Sequence, residues 1–309
     1  MKKILFFPCL AILFAVSCGG NRSKPTATAQ AKPTHFEMIK VPETLATPEQ
    51  KAAYVGEHYW DNFDFADTSL ISIPEVTEQG FVDYVSVLPY MAKSVYNRSV
   101  AITLEKASVS PEMLDHFIAL FDKYLYNGGS QLRNDEVYIP VLEWIMASGK
   151  VDSLDKLRPA HQLEMVLKNR VGGRAADFQY TTPTGSVGSL YGINAPFTLI
   201  YFNNPGCSAC TEMRADLNSN AIIWSAVASG KLAVLALYPS QDLGEWRKEI
   251  PNIPARWING YDHKQAVNEG LYDLPAIPML YLLDRDKTVL IKDAVIPQIV
   301  EVLQNSPNN

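Results

Sequence analysis

An α/β sheet with flanking helices, preceded by a mostly α-helical domain, is the fold class this sequence predicts. Three observations carry that prediction. Capped, amphipathic helical stretches fill residues 48–171. Beyond "VGGRAAD" apolar runs of strand length alternate with helical patterns, the arrangement of a sheet covered by helices. A chain of 309 residues with 47% hydrophobic content is also long enough for two domains, each with its own core. The net charge is −6 with no long run of either sign, which excludes a nucleic-acid surface built on clustered Lys and Arg.

The chain opens on an export signal. Lys2 and Lys3 precede "ILFFPCLAILFAV", a charged start and an apolar stretch too short to span a bilayer comfortably. "AVSCGG" follows, and small residues leading into a cysteine there resemble the lipobox of bacterial lipoproteins. The resemblance implies a signal peptide over 1–17, cleavage before Cys18 and acylation of Cys18. It further implies an extracytoplasmic protein, lipid-anchored to a bacterial membrane and facing the periplasm. Ala15 stands where leucine is commoner, so an ordinary secretory signal and an uncleaved anchor remain alternatives; each also exports the chain. Two or three acyl chains hold a protein on a membrane where one alone binds marginally. Residues 18–47 are polar and rich in Ala, Thr, Pro and Lys without a hydrophobic period. They read as a tether that sets the body on the order of 25–30 Å from its anchor.

Residues 48–171 read as helices. "TPEQKAAYVGEHYWDNF" begins with Thr47 as N-cap, Pro48 in the first turn and Gln50 closing a capping box. "SPEMLDHFIALFDKYLYNGG" repeats that logic from Ser110 and Pro111 and stops at Gly128. Its stripe of Met113, Phe117, Leu120, Phe121 and Tyr124 is a core face. "NDEVYIPVLEWIMASG" and "DSLDKLRPAHQLEMVLKN" add two helices, each with a proline expected to kink or interrupt it. His58, His116 and His161 lack ligand spacing and are structural or solvated.

From residue 172 the pattern changes. "FQYTTPTGSVGSLYG" reads as short strands around a turn, "FTLIYF" as a buried strand, and "CSACTEMRADL" as a helix. "KLAVLALY" is a second buried strand, "LGEWRKEI" a short helix, and "IPMLYLLD" and "TVLIKDA" flank a "DRDK" turn. "PQIVEVLQ" closes the chain as a helix.

The chemistry lies in "FNNPGCSAC". Cys9 leaves with the signal and Cys18 is consumed by lipid, so the mature chain keeps only Cys207 and Cys210. A disulfide-stapled exported domain shows several scattered cysteines; one close pair closes too small a loop to staple anything. Cys207 falls at a helix N-terminus, where unpaired N–H groups and the positive end of the dipole favour thiolate. Cys210 lies one turn on, on the same face and within disulfide reach. Cys207 is therefore expected to attack and Cys210 to resolve. Structural zinc needs a second ligand pair that the chain lacks. Copper delivery would need a distant histidine such as His263, and usually a cysteine spacing one residue longer.

These motifs resemble the thioredoxin fold from about Ala175 to the C-terminus, most closely the membrane-tethered thiol–disulfide oxidoreductases of the TlpA and ResA kind. The matching pieces are "AADFQYTTPTGSVGSLYG", "FTLIYFNNPGCSAC", "LYPSQDLGEW" and "YDLPAIPMLYLLDRDKTV". The resemblance implies that Pro278 is a cis-proline beside the dithiol and that Ile277 offers backbone groups to an extended substrate strand. It also implies exchange with protein disulfides or dithiols, a membrane electron-transfer partner, and no cofactor beyond a redox-active Cys207–Cys210 disulfide. Residues 48–171 resemble, through "YWDNFDFAD" and overall layout, a helical domain of unknown function found ahead of thioredoxin-like domains in exported lipoproteins. Several family features are missing. No tryptophan precedes Cys207, and the carboxylate relatives keep beneath the dithiol is replaced by Tyr201 or Met213, with Glu212 one residue off. A peroxidase would place threonine where Asn203 stands. The alternative from another class is a partner- or copper-binding lipoprotein that uses the dithiol as a ligand.

Overall fold

The computed structural model describes residues 33–240, 242–262, 266 and 269–306; Cys18 and His263 lie outside the described residues. The helical part begins with α1 (Pro48–His58), where Thr47 Oγ1 accepts from the Gln50 N–H and Gln50 Oε1 from the Thr47 N–H, both at 3.2 Å. α2 (Thr77–Val87) and α3 (Lys93–Ala107) follow, and neither has a side-chain N-cap. α4 (Pro111–Phe121) is capped by Ser110 and passes into a π-helical turn over Asp122–Tyr126, so α geometry ends short of Gly128.

α5 (Asp135–Ala147) carries Pro140 inside and continues past it. α6 (Leu157–Val166) has Pro159 as its third residue. An N–H in the first turn has no helical partner to lose, so this proline starts the helix rather than interrupting it. Trp60, Phe63, Phe65, Phe81 and Phe117 bury one another at the centre. Phe36, inside the stretch expected to be tether, packs on this core: its ring lies 5.3 Å from both Tyr59 and Trp60.

The second part is a mixed sheet in the order β2-β1-β5-β4-β3-β6-β7. β1 (Gln179–Thr181) and β2 (Val187–Ser189) form the hairpin. β3 (Phe197–Phe202) and β4 (Leu232–Tyr238) are central and parallel. β5 (Ile258–Tyr261) joins the hairpin to β4. β6 (Met279–Leu283) runs antiparallel to β3, and β7 (Val289–Lys292) antiparallel to β6.

The period of two divides the apolar runs between two faces. Leu199 and Tyr201 join the layer under α7 (Ser208–Ser219), α8 (Ala221–Ala228) and α10 (Ile296–Asn305). Ile200 and Phe202 join the opposite layer with Phe178, Tyr272 and Tyr281. Burial on both faces is why these strands read as unbroken apolar runs. α9 (Leu243–Glu249) lies between β4 and β5 in the chain and buries Trp246. The described residues from Thr34 onward form one compact unit, and backbone bonds such as Gly172 N–H to Val289 O at 2.9 Å join the end of the helical part to the sheet.

Candidate active site

β3 delivers the chain to the site. Its ladder with β4 continues one residue beyond the strand, the Asn203 N–H donating to Leu237 O at 3.0 Å. Asn203 is itself buried, and its Nδ2 donates to the Tyr201 and Leu237 carbonyls at 3.2 Å each. Gly206 then turns the chain with φ +72°, a left-handed conformation that glycine adopts without a Cβ penalty.

Cys207 is the N-cap of α7, and its Sγ accepts from the Cys210 N–H at 3.1 Å. A sulfur so placed takes up one of the helix's orphan donors, the interaction that favours thiolate over thiol. The two cysteines are joined as a disulfide with Cα atoms 5.2 Å apart. Cys207 is half-buried, whereas Cys210 is 2% exposed, so an incoming disulfide meets Cys207 first.

The Ile277–Pro278 peptide is cis, and Cys207 Sγ stands 3.9 Å from the Ile277 carbonyl oxygen. The reason for this juxtaposition is the register of β6, which pairs Met279 with Phe202 and so sets Pro278 beside the residues leading to the dithiol. Cys207, Cys210, Ile277 and Pro278 are thus brought together from two segments about 70 residues apart in sequence.

Beneath the pair, Cys210 belongs to an apolar layer with Leu217, Trp257, Met213 and Ile277. Glu212 is exposed on the other side of α7. The polar group that reaches the pair from below is Tyr201, fully buried, whose hydroxyl donates to the Cys210 carbonyl at 2.6 Å. Burial pushes the Tyr201 phenol well above its ordinary range, so it is a hydrogen-bond donor throughout the neutral range. Glu249 is ion-paired with Arg214, four residues beyond Cys210; the two charges act on the phenol in opposite directions.

The sequence marks Tyr201 only as a missing carboxylate; its contact with Cys210 depends on the packing of α7 onto β3. Tyr201→Phe is expected to cost about 1 kcal/mol, read as a lower urea midpoint at unchanged slope. An unmoved midpoint would mean that this hydrogen bond contributes nothing net. Among the described residues, no cluster of three or more His, Cys, Asp or Glu side chains could hold a metal.

Residues 17–169 match a family model described as a domain of unknown function, DUF5106. A thioredoxin-like protein from Bacteroides caccae, known from a crystal structure, is 43% identical over 88% of this chain and 99% of its own, with a TM-score of 0.83. The chain belongs to the thioredoxin-like proteins. In this thioredoxin-like chain the helical DUF5106 part precedes the sheet that carries the dithiol. The C-terminal domain of an uncharacterized protein from Bacteroides fragilis is 45% identical over 44% of this chain and 99% of its own, with a TM-score of 0.43. The thioredoxin domain of a thiol–disulfide oxidoreductase from Bacteroides vulgatus is 18% identical over 44% and 96%, with a TM-score of 0.39. No curated protein matches the thioredoxin-like chain.

Proposed function

We propose that this protein is a membrane-anchored, extracytoplasmic thiol–disulfide oxidoreductase acting on protein disulfides. The observation that carries the reading is the half-buried Cys207 Sγ, at a helix N-terminus and 3.9 Å from the Ile277 carbonyl. In the reduced form the Cys207 thiolate attacks one sulfur of a substrate disulfide. A Cys207–substrate bond forms, the substrate S–S bond breaks, and the leaving substrate thiolate takes up a proton.

Cys210, deprotonated, then attacks Cys207 Sγ and expels the second substrate thiolate. Two electrons have passed to the substrate, which leaves as a dithiol, and the Cys207–Cys210 disulfide remains. An external dithiol must reduce it again, and a membrane electron-transfer protein is the proposed donor; no further cofactor is required. Ile277 and Pro278 form the edge against which an extended substrate segment lies.

Insulin reduction by the full chain, with dithiothreitol as the recycling dithiol, tests the reading. Precipitation of the insulin B chain is expected well ahead of dithiothreitol alone. A rate equal to that background would remove the enzymatic reading.

The membrane anchor is proposed at Cys18, on the small-residue run before it and the polar stretch behind it. Metabolic labelling with a palmitate analogue is expected to mark the wild-type chain and to miss Cys18→Ser. Equal labelling of both would rule out this attachment site.

A further inference from the structure

The segment 271–278, which ends at the cis-proline, is held from outside the sheet at three points. At its start Asn169 Nδ2 donates to the Leu271 carbonyl at 2.7 Å. Two residues on, Asp273, 5% exposed, accepts from Arg133 Nη2 at 3.2 Å and from the Tyr126 hydroxyl at 3.3 Å. Nearer the proline, Gly128 approaches so closely that a Cβ there would stand 2.4 Å from Ala276 Cβ and 2.9 Å from the Ala276 nitrogen. Asn169, Arg133, Tyr126 and Gly128 all lie in the part matched by the domain of unknown function.

Arg133 is the hub of these contacts. Its side chain is 6% exposed. Nε donates to Asp293 Oδ2 at 2.8 Å, Nη2 also to Asp135 Oδ1 at 2.9 Å, and Nη1 to the Tyr126 carbonyl. Lys292 Nζ lies 2.6 Å from Asp135 Oδ2. Three carboxylates thus share two cations, and losing Arg133 would leave excess negative charge buried around Asp273.

A guanidinium holds five N–H donors in one rigid plane, whereas an ammonium is a compact charge with three donors on a flexible stem, so lysine does not reproduce this set of contacts. Asp293 leads into Ala294, whose N–H donates to Leu280 O at 2.9 Å in β6. One guanidinium therefore ties both the loop before Pro278 and the start of the strand after it.

We propose that Arg133 is a positioning residue for protein substrates, which, with Tyr126 and Gly128, sets where the Ile277 carbonyl stands relative to Cys207. The inference rests on the oxidoreductase reading above. Its consequence is selective. A protein substrate must lay an extended segment along Ile277, and a displacement of about 1 Å at such a contact costs on the order of 10²-fold. A small disulfide reaches Cys207 without that segment.

The test compares kcat/KM for insulin and for bis(2-hydroxyethyl) disulfide in the full chain, for wild type, Arg133→Lys, Asp273→Asn and Gly128→Ala. In each variant the insulin value is expected to fall about tenfold further than the small-disulfide value, chiefly through KM. Gly128→Ala alters no charge, so it keeps the comparison open should Arg133→Lys fail to fold. Equal falls for both substrates, or no fall for either, would overturn the positioning role while leaving the oxidoreductase reading intact. A wild-type chain that reduces neither substrate would overturn both.

Discussion

Cys207→Ser is expected to lose exchange with protein disulfides by on the order of 10³-fold or more, because no other sulfur can take its place as nucleophile. Cys210 is 2% exposed and lies inside the first turn of α7, so a substrate disulfide cannot readily reach it. Cys210→Ser has the opposite phenotype. Its Cys207 still attacks, but the mixed disulfide is no longer displaced from within, and covalent complexes accumulate. The two variants are compared on a non-reducing gel after incubation with client proteins, with bands that collapse on reduction scored as complexes. Cys210→Ser should trap and Cys207→Ser should not. Trapping by Cys207→Ser alone would reverse the assigned polarity. No trapping by either, with both variants still binding a partner or metal, would favour the non-enzymatic alternative.

Phe117→Ala is expected to be the most damaging single truncation in the helical part. Phe117 is fully buried, with ring centroids of Trp60 at 5.2 Å, Phe65 at 5.1 Å, Phe81 at 5.8 Å and Phe63 at 5.9 Å. Deleting such a ring costs about 3–5 kcal/mol, since these neighbours come from two separate segments, the turns at 60–65 and α2, and cannot all close on the cavity. In a unit of this size that lowers Tm by on the order of 10 °C. The ion pairs of Arg133 with the buried Asp273 and the part-buried Asp293 join the helical part to the sheet, so a single transition is expected to move as a whole. Calorimetry decides the point. Two transitions, with only the lower one shifted by Phe117→Ala, would mean that the helical part and the sheet melt independently.

What the sequence by itself determined rests on signals a few residues long. Thr47 and Gln50 sit three apart because a capping box is one helical turn, and that spacing marks the start of α1. Cys207 and Cys210 have the same separation for the same reason, and "FTLIYF" before them is apolar but for Thr198 because β3 is covered on both faces. The thioredoxin-like half and its dithiol were therefore legible. α2 and α3 were not singled out, and neither begins with a side-chain cap. β5 escaped because "INGY" lacks the apolar run of a central strand; pairing with β1 and β4 makes it a strand.

The surroundings of the site were decided by tertiary structure alone. Tyr201 meets the Cys210 carbonyl only once α7 packs on β3. Arg133 and Asp273 are 140 residues apart, and neither carries a local mark of its partner. A buried guanidinium needs acceptors around its whole fork, and here three carboxylates come from the start of α5, the loop before Pro278 and the residue after β7, with the Tyr126 carbonyl completing the set. Capping and strand periodicity act over a few residues of one segment. Compensation of buried charge acts through space, and only the folded chain brings these segments within its reach.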